Sequence, residues 1–156
     1  MELVFDERGL LLPGVHDVSI EKVKAQLGGF RRSDRRPTLF AKLAQYLESL
    51  KNAGLGESVI LDGSFVMECV DEPDDIDILL VLPVKWDDAV DLKPYQYNLV
   101  SKKAIKRTLG FDLFTVKSGS VEEAEWIDFF KRISNKWRQK YGWAEDTRKG
   151  ILWVVL

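Results

Sequence analysis

At 156 residues the chain is long enough to bury a core and too short for two ordinary domains, so one domain over 1–156 is expected. Its 46% hydrophobic and 31% charged residues exclude a disordered or fibrous chain, and its one cysteine, Cys69, excludes an intrachain disulfide or a cysteine-built metal site. The net charge of −2 gives no sign of a general nucleic-acid binder, and no apolar run is long enough for a membrane span or a secretory leader, so a cytoplasmic protein is expected.

In chain order, the stretch to Asp17 is broken by Pro13-Gly14 and predicts irregular structure. Ser19 predicts the cap of a short helix to Leu27, ended by Gly28-Gly29. Pro37 suits a first helical turn, and Leu39, Phe40, Leu43, Tyr46, Leu47 and Leu50 recur at helical spacing until Gly54 and Gly56. "SVIL" (Ser58–Leu61) predicts a buried strand, and "DIDILLVLP" (Asp75–Pro83) predicts another, alternating at first and continuously apolar later. Residues 84–98 carry one proline, Pro94, just after Pro83, and little periodicity, and read as a loop. Ser101 predicts the cap of a basic helix ending near Gly110, and "FDLFTV" (Phe111–Val116) a third strand.

Ser120 and Glu123 form a capping-box pattern. They open one predicted helix with Trp126, Phe129, Phe130, Ile133, Trp137 and Tyr141 on a single face, an aromatic stripe read as core packing. "GILWVVL" (Gly150–Leu156) predicts a closing strand, expected beside Phe111–Val116. The element order argues for an α+β (mixed α/β) fold: helices packed against a mixed sheet. Its segments are an N-terminal irregular and helical part (1–57), the strands bearing the candidate site (58–116) and a C-terminal helix and strand (117–156). The basic clusters "RRSDRR" (31–36), "KKAIKR" (102–107) and "KRISNKWRQK" (131–140) each read as solvated helix faces.

The informative stretch is "LDGSFVMECVDEPDDIDILL" (Leu61–Leu80). Side chains two apart in a strand share a face, so Asp75 and Asp77 project together. Adjacent carboxylates repel unless a cation or a proton relieves them. Asp112, between Phe111 and Leu113, joins them if the two strands are neighbours. Three such acids suit divalent cations, which in two-metal sites stand ~3.5–4 Å apart around a transferring phosphoryl group. Gly63 lets a ligand approach the backbone, and if a short helix begins after Ser64, its free N–H groups and the serine hydroxyl would face an anion such as a triphosphate. An EF-hand is excluded, because Pro73 and Ile76 interrupt the ligand pattern and no central glycine follows. Asp71, Glu72 and Asp74 read as loop acids, and the lone His16 stays outside the site.

"GSF" at Gly63–Phe65, then "DIDI" at Asp75–Ile78, then "FDLF" at Phe111–Phe114, resembles the signature of the minimal nucleotidyltransferase superfamily, related to DNA polymerase beta. Kanamycin nucleotidyltransferase, the tRNA CCA-adding enzyme and the nucleotidyltransferase partners of toxin–antitoxin pairs share that signature. The resemblance covers the middle third of the chain. It implies a nucleotidyltransferase-like sheet and a magnesium-dependent enzyme, with manganese as a substitute ion, moving a nucleoside monophosphate from a nucleoside triphosphate such as ATP to an RNA, protein or small-molecule acceptor. It further implies that Asp75 and Asp77 ligate the metal and that Asp112 is a third ligand or general base. Gly63 and Ser64 would hold the nucleotide phosphates. Many members place an arginine soon after Gly-Ser; here Phe65, Val66 and Met67 follow, so Lys103 or Lys106 on the basic helix is expected to replace it. The alternative is a non-catalytic, nucleotide-binding or antitoxin-like module that keeps the fold and works through a partner protein.

Overall fold

The computed structural model describes residues 2–89 and 91–156, and its fold is α+β: a five-stranded mixed sheet with helices on both faces. Val90, within the 84–98 stretch, lies outside the described residues. The strands are β1 (Val15–Asp17), β2 (Ser58–Asp62), β3 (Asp77–Leu82), β4 (Asp112–Lys117) and β5 (Ile151–Val155), in the order β1-β5-β2-β3-β4. The outer pairs β1–β5 and β3–β4 are parallel, and the inner pairs β5–β2 and β2–β3 are antiparallel.

Helix α1 (Ile20–Leu27) is capped by Ser19, whose hydroxyl accepts from the Lys22 N–H. Helix α2 (Arg35–Ala53) ends at Gly54, in the left-handed region at φ 66°. All six periodic apolar residues of α2 are buried, in one cluster with Val59 and Leu61 of β2, Ile78 and Leu80 of β3 and Leu152 of β5. The intervening strand residues Ile60, Leu79 and Ile151 point the other way, into a second cluster with Phe130 and Trp126. The alternation expected of a sheet covered on both faces is therefore present on every central strand.

Several expectations are corrected. Val15–Asp17 is a strand rather than irregular chain, because β5 supplies it with backbone partners. The 84–98 loop conceals helix α3 (Pro94–Val100): Pro94 stands at its first position, where no N–H is needed. Helix α4 (Lys102–Leu109) follows with the expected Ser101 cap. Strand β5 lies between β1 and β2, not beside β4, so both of its edges are paired within this chain.

The aromatic-striped helix is two helices, α5 (Val121–Phe130) and α6 (Asn135–Tyr141). The break has a cause: the backbone N–H of Lys149 takes the Lys131 carbonyl, and its ammonium takes those of Phe130 at 2.7 Å and Arg132 at 3.4 Å. These acceptors are withdrawn from any continuing helix. Trp126 and Phe130 then pack on the sheet, whereas Trp137 joins a third cluster with Leu10, Met67 and Val70.

Candidate functional site

The site begins as a row across the sheet. Asp62 ends β2, Asp77 opens β3 and Asp112 opens β4, and the registers pair Asp62 with Asp77 and Asp77 with Asp112. Residues paired across strands share a face, here the one beneath α5. Asp75 lies in the segment just before β3, which starts at Asp77 rather than at Asp75 as expected. Even so, one carboxylate oxygen from each of Asp75, Asp77 and Asp112 lies within 4.8 Å of the others. The expected adjacency of the two acid-bearing strands holds.

Crowding shows in the titration. Burial, then the charges of Asp62, Asp75 and Asp112, push the Asp77 carboxyl up to about 7. Burial and the charge of Asp112 raise Asp75 as well. Lys106 supplies the nearest relief: its ammonium is 3.1 Å from Asp112 Oδ1 and 3.7 Å from Asp75 Oδ2. Hydrogen bonding to Asp112 raises the lysine pKa in turn. Lys103, the other cation expected here, is exposed on α4 and makes no hydrogen bond or ion pair among the described residues. A metal ion at these acids would compete with Lys106 for the same oxygens, so Lys106→Met is expected to tighten magnesium binding. An exposed pair of this kind limits the gain to about fivefold. Calorimetric titration of the two proteins measures it, and an unchanged affinity refutes the competition.

Gly63 joins β2 to a single 3-10 turn at Ser64–Val66. Its φ of 90° and ψ of −170° belong to a region that side chains avoid, and a Cβ there would sit 3.2 Å from Asp77 Oδ2. Only glycine lets the turn pass this close to the acids. Gly63, Ser64 and the three candidate ligands line one cleft of about 510 Å³. Arg132, Lys136, Trp137 and Arg138, from α6 and the turn before it, form the other wall.

Three further elements are not evident from the sequence. Arg36, expected on a solvated face, is fully buried and uses every guanidinium nitrogen on backbone carbonyls of Leu27, Phe65, Met67 and Val70, at 2.6–3.1 Å. Burial draws its pKa down to about 10, so it stays charged at neutral pH. Arg35 holds the carbonyls of Pro73, at 2.7 Å, and Asp74, and Arg31 holds that of Glu68. The "RRSDRR" cluster is thus a clamp that shapes the loop from Gly63 to Asp74.

The second element is the pair Asp62–Lys149, with side chains 8% and 3% exposed, an ion pair on the floor of the cleft. Burial pushes the Asp62 carboxyl up, against the pull of the lysine. Through its bonds to Phe130 and Arg132, Lys149 ties the acidic row to the junction of α5 and α6. The third is the cationic wall itself, which the sequence shows as a charge run without saying what it faces. Among the described residues no helix is long and apolar enough to cross a membrane. No curated protein and no solved structure matches the chain. A family model does match, over residues 3–155, and the chain belongs to the family that it describes, DUF6932, a family of unknown function.

Proposed function

We propose that the chain is a magnesium-dependent nucleotidyltransferase that moves a nucleoside monophosphate from a nucleoside triphosphate to an acceptor, with manganese serving in the same site. The observation that carries this reading is the convergence of Asp75, Asp77 and Asp112 beside the Gly63–Ser64 turn in a single cleft. An all-carboxylate donor set suits a hard divalent cation. Burial first and the neighbouring carboxylates second raise Asp75 and Asp77, a destabilisation of the charged forms that a bound cation would relieve. Bound there, the ion would offset the charge of the phosphates and polarise the phosphoryl oxygens.

The chain's own groups do the remainder. Gly63 lets the turn pass against Asp77 at the edge of the cleft, and Arg132 and Lys136 meet the phosphate charge from the facing wall. Asp112, the more exposed of Asp75 and Asp112 at 36% of its side chain, accepts the proton of the attacking hydroxyl. The hydroxyl oxygen bonds to the α-phosphorus as the bond to the α–β bridging oxygen breaks, and pyrophosphate departs.

One observation favours a second reading. Lys106 already contributes a cation to Asp75 and Asp112, as a metal-independent binding module would require. The test is incubation with each labelled nucleoside triphosphate, magnesium or manganese, and RNA or protein extract. Transfer of label that stops on chelation is the expected result. Metal-independent nucleotide binding without transfer would establish the binding module instead.

A further inference from the structure

Residues 131–141 carry five cations and no acid, in a chain whose net charge is −2. Three of them, Arg132, Lys136 and Arg138, line the cleft. A fourth, Lys140, stands one turn beyond Lys136 on α6, outside the lining and 5.2 Å from the Trp137 ring centroid. The basic row therefore starts opposite the aspartates and has a further member outside the cleft, with about 6 Å of helix between Lys136 and Lys140. A nucleotide seated in the cleft faces only its inner members.

The acids that hold this row hold it loosely. Arg132 pairs with Asp128 at 3.1 Å and Lys136 with Asp74 at 2.6 Å, and all four side chains are more than half exposed. Pairs so solvated contribute about 0–1 kcal/mol and exchange readily for phosphate. Beside them on the rim is Phe129, a large apolar ring that is 56% exposed and lines the same cleft. An exposed aromatic face among cations is the surface on which an unpaired base stacks while its backbone is neutralised.

We propose that α6 and the turn before it bind a single-stranded nucleic acid, and that the strand's terminal hydroxyl is the acceptor. The acceptor role rests on the nucleotidyl-transfer reading; the binding surface does not. The extent of the row beyond the cleft favours a polyanion over a lone nucleotide, and Phe129 favours one that carries bases.

The full chain is titrated by fluorescence anisotropy with labelled oligo(U) and oligo(dT) of about 12 nucleotides, within the site sizes of such surfaces. Polyglutamate of equal charge serves as a polyanion without bases. Binding is expected to weaken with salt, and to survive Asp75→Asn/Asp77→Asn. Replacing Lys136, Arg138 and Lys140 by Gln is expected to cost at least about tenfold in affinity and to reduce the logarithmic salt slope by about 2, at ~0.7 per phosphate contact. Phe129→Ala is expected to cost about tenfold. Polyglutamate competing as well as the oligonucleotides, or the Gln variant binding unchanged, overturns the surface. A strand that binds but takes no label, while a protein does, overturns the acceptor role and leaves the transfer reading intact. Binding with no transfer to any acceptor counts against the transfer reading alone.

Discussion

We expect Asp77→Asn to abolish magnesium-dependent transfer while making the metal-free protein more stable at pH 8. The two effects share a cause. Asp77 is partly buried, is paired in the sheet with Asp62 and Asp112 and lies close to Asp75, so burial first and these charges second disfavour its ionised form and push its carboxyl up to about 7. An unfolded aspartate titrates near 3.9. Between these values the folded state holds a proton that the unfolded state has lost, so stability falls as pH rises from ~4 to ~7 and is flat above. The slope reaches at most about 1.4 kcal/mol per pH unit for one group, and the accumulated cost is on the order of 2–4 kcal/mol.

Asparagine removes the charge and hence the slope. On the proposed function magnesium would remove it by another route, because an ion that binds only the folded state adds stability by mass action, and adds more once the competing proton has gone. Thermal melts at pH 5 and pH 8, with and without magnesium, measure both. The wild type should gain most from magnesium at pH 8, and the variant little at either pH. Transfer should fall by at least about 10²–10³-fold, the scale of losing one preorganised electrostatic group. A variant less stable than wild type at pH 8, or equally active, would remove Asp77 from the site.

The second large effect is expected at Lys149. Lys149→Met leaves Asp62 buried beside Asp77 with no counter-charge, and leaves the Phe130 and Arg132 carbonyls without their donor. Breaking one side of a buried pair costs about 3–5 kcal/mol. The loss should be smaller at low pH, where Asp62, already raised by burial, takes up a proton. Asp62→Asn in the same chain should restore much of it, because what destabilises is the stranded charge rather than the missing lysine. Urea denaturation of the two single variants and the double variant closes the cycle. Additive losses would mean that the two residues do not act as a pair.

The parts of this molecule legible in its sequence are those governed by local periodicity. Helix α2 is visible because six apolar residues fall on one stripe between a proline in the first turn and a glycine cap. The acids Asp75, Asp77 and Asp112 are visible because charge inside an apolar run is costly and therefore conspicuous. What escapes is what depends on distant partners. Nothing near Ile151 states that its neighbours are Val15 and β2 rather than β4. Arg36 resembles any other residue of a basic cluster until the loop it holds, some thirty residues further on, is folded around it. The break between α5 and α6 is imposed by Lys149, which no helical pattern over 121–141 contains.

The position of β5 also bears on the order in which the protein assembles. Strands β2, β3 and β4 can pair as soon as residues 58–117 are available, but β1 has no partner in the sheet until Ile151–Val155 arrives. Contacts so remote along the chain close slowly, because loop entropy must be overcome before they return any free energy. During that interval β2 presents an open edge with Val59, Ile60 and Leu61 along it, the kind of surface through which partly folded chains associate. Asp62 at its end is then an uncompensated charge, and a charge on a bare edge discourages pairing with a second chain. Lys149 lies two residues ahead of β5, so the docking that covers this edge also brings in the cation that neutralises its guard.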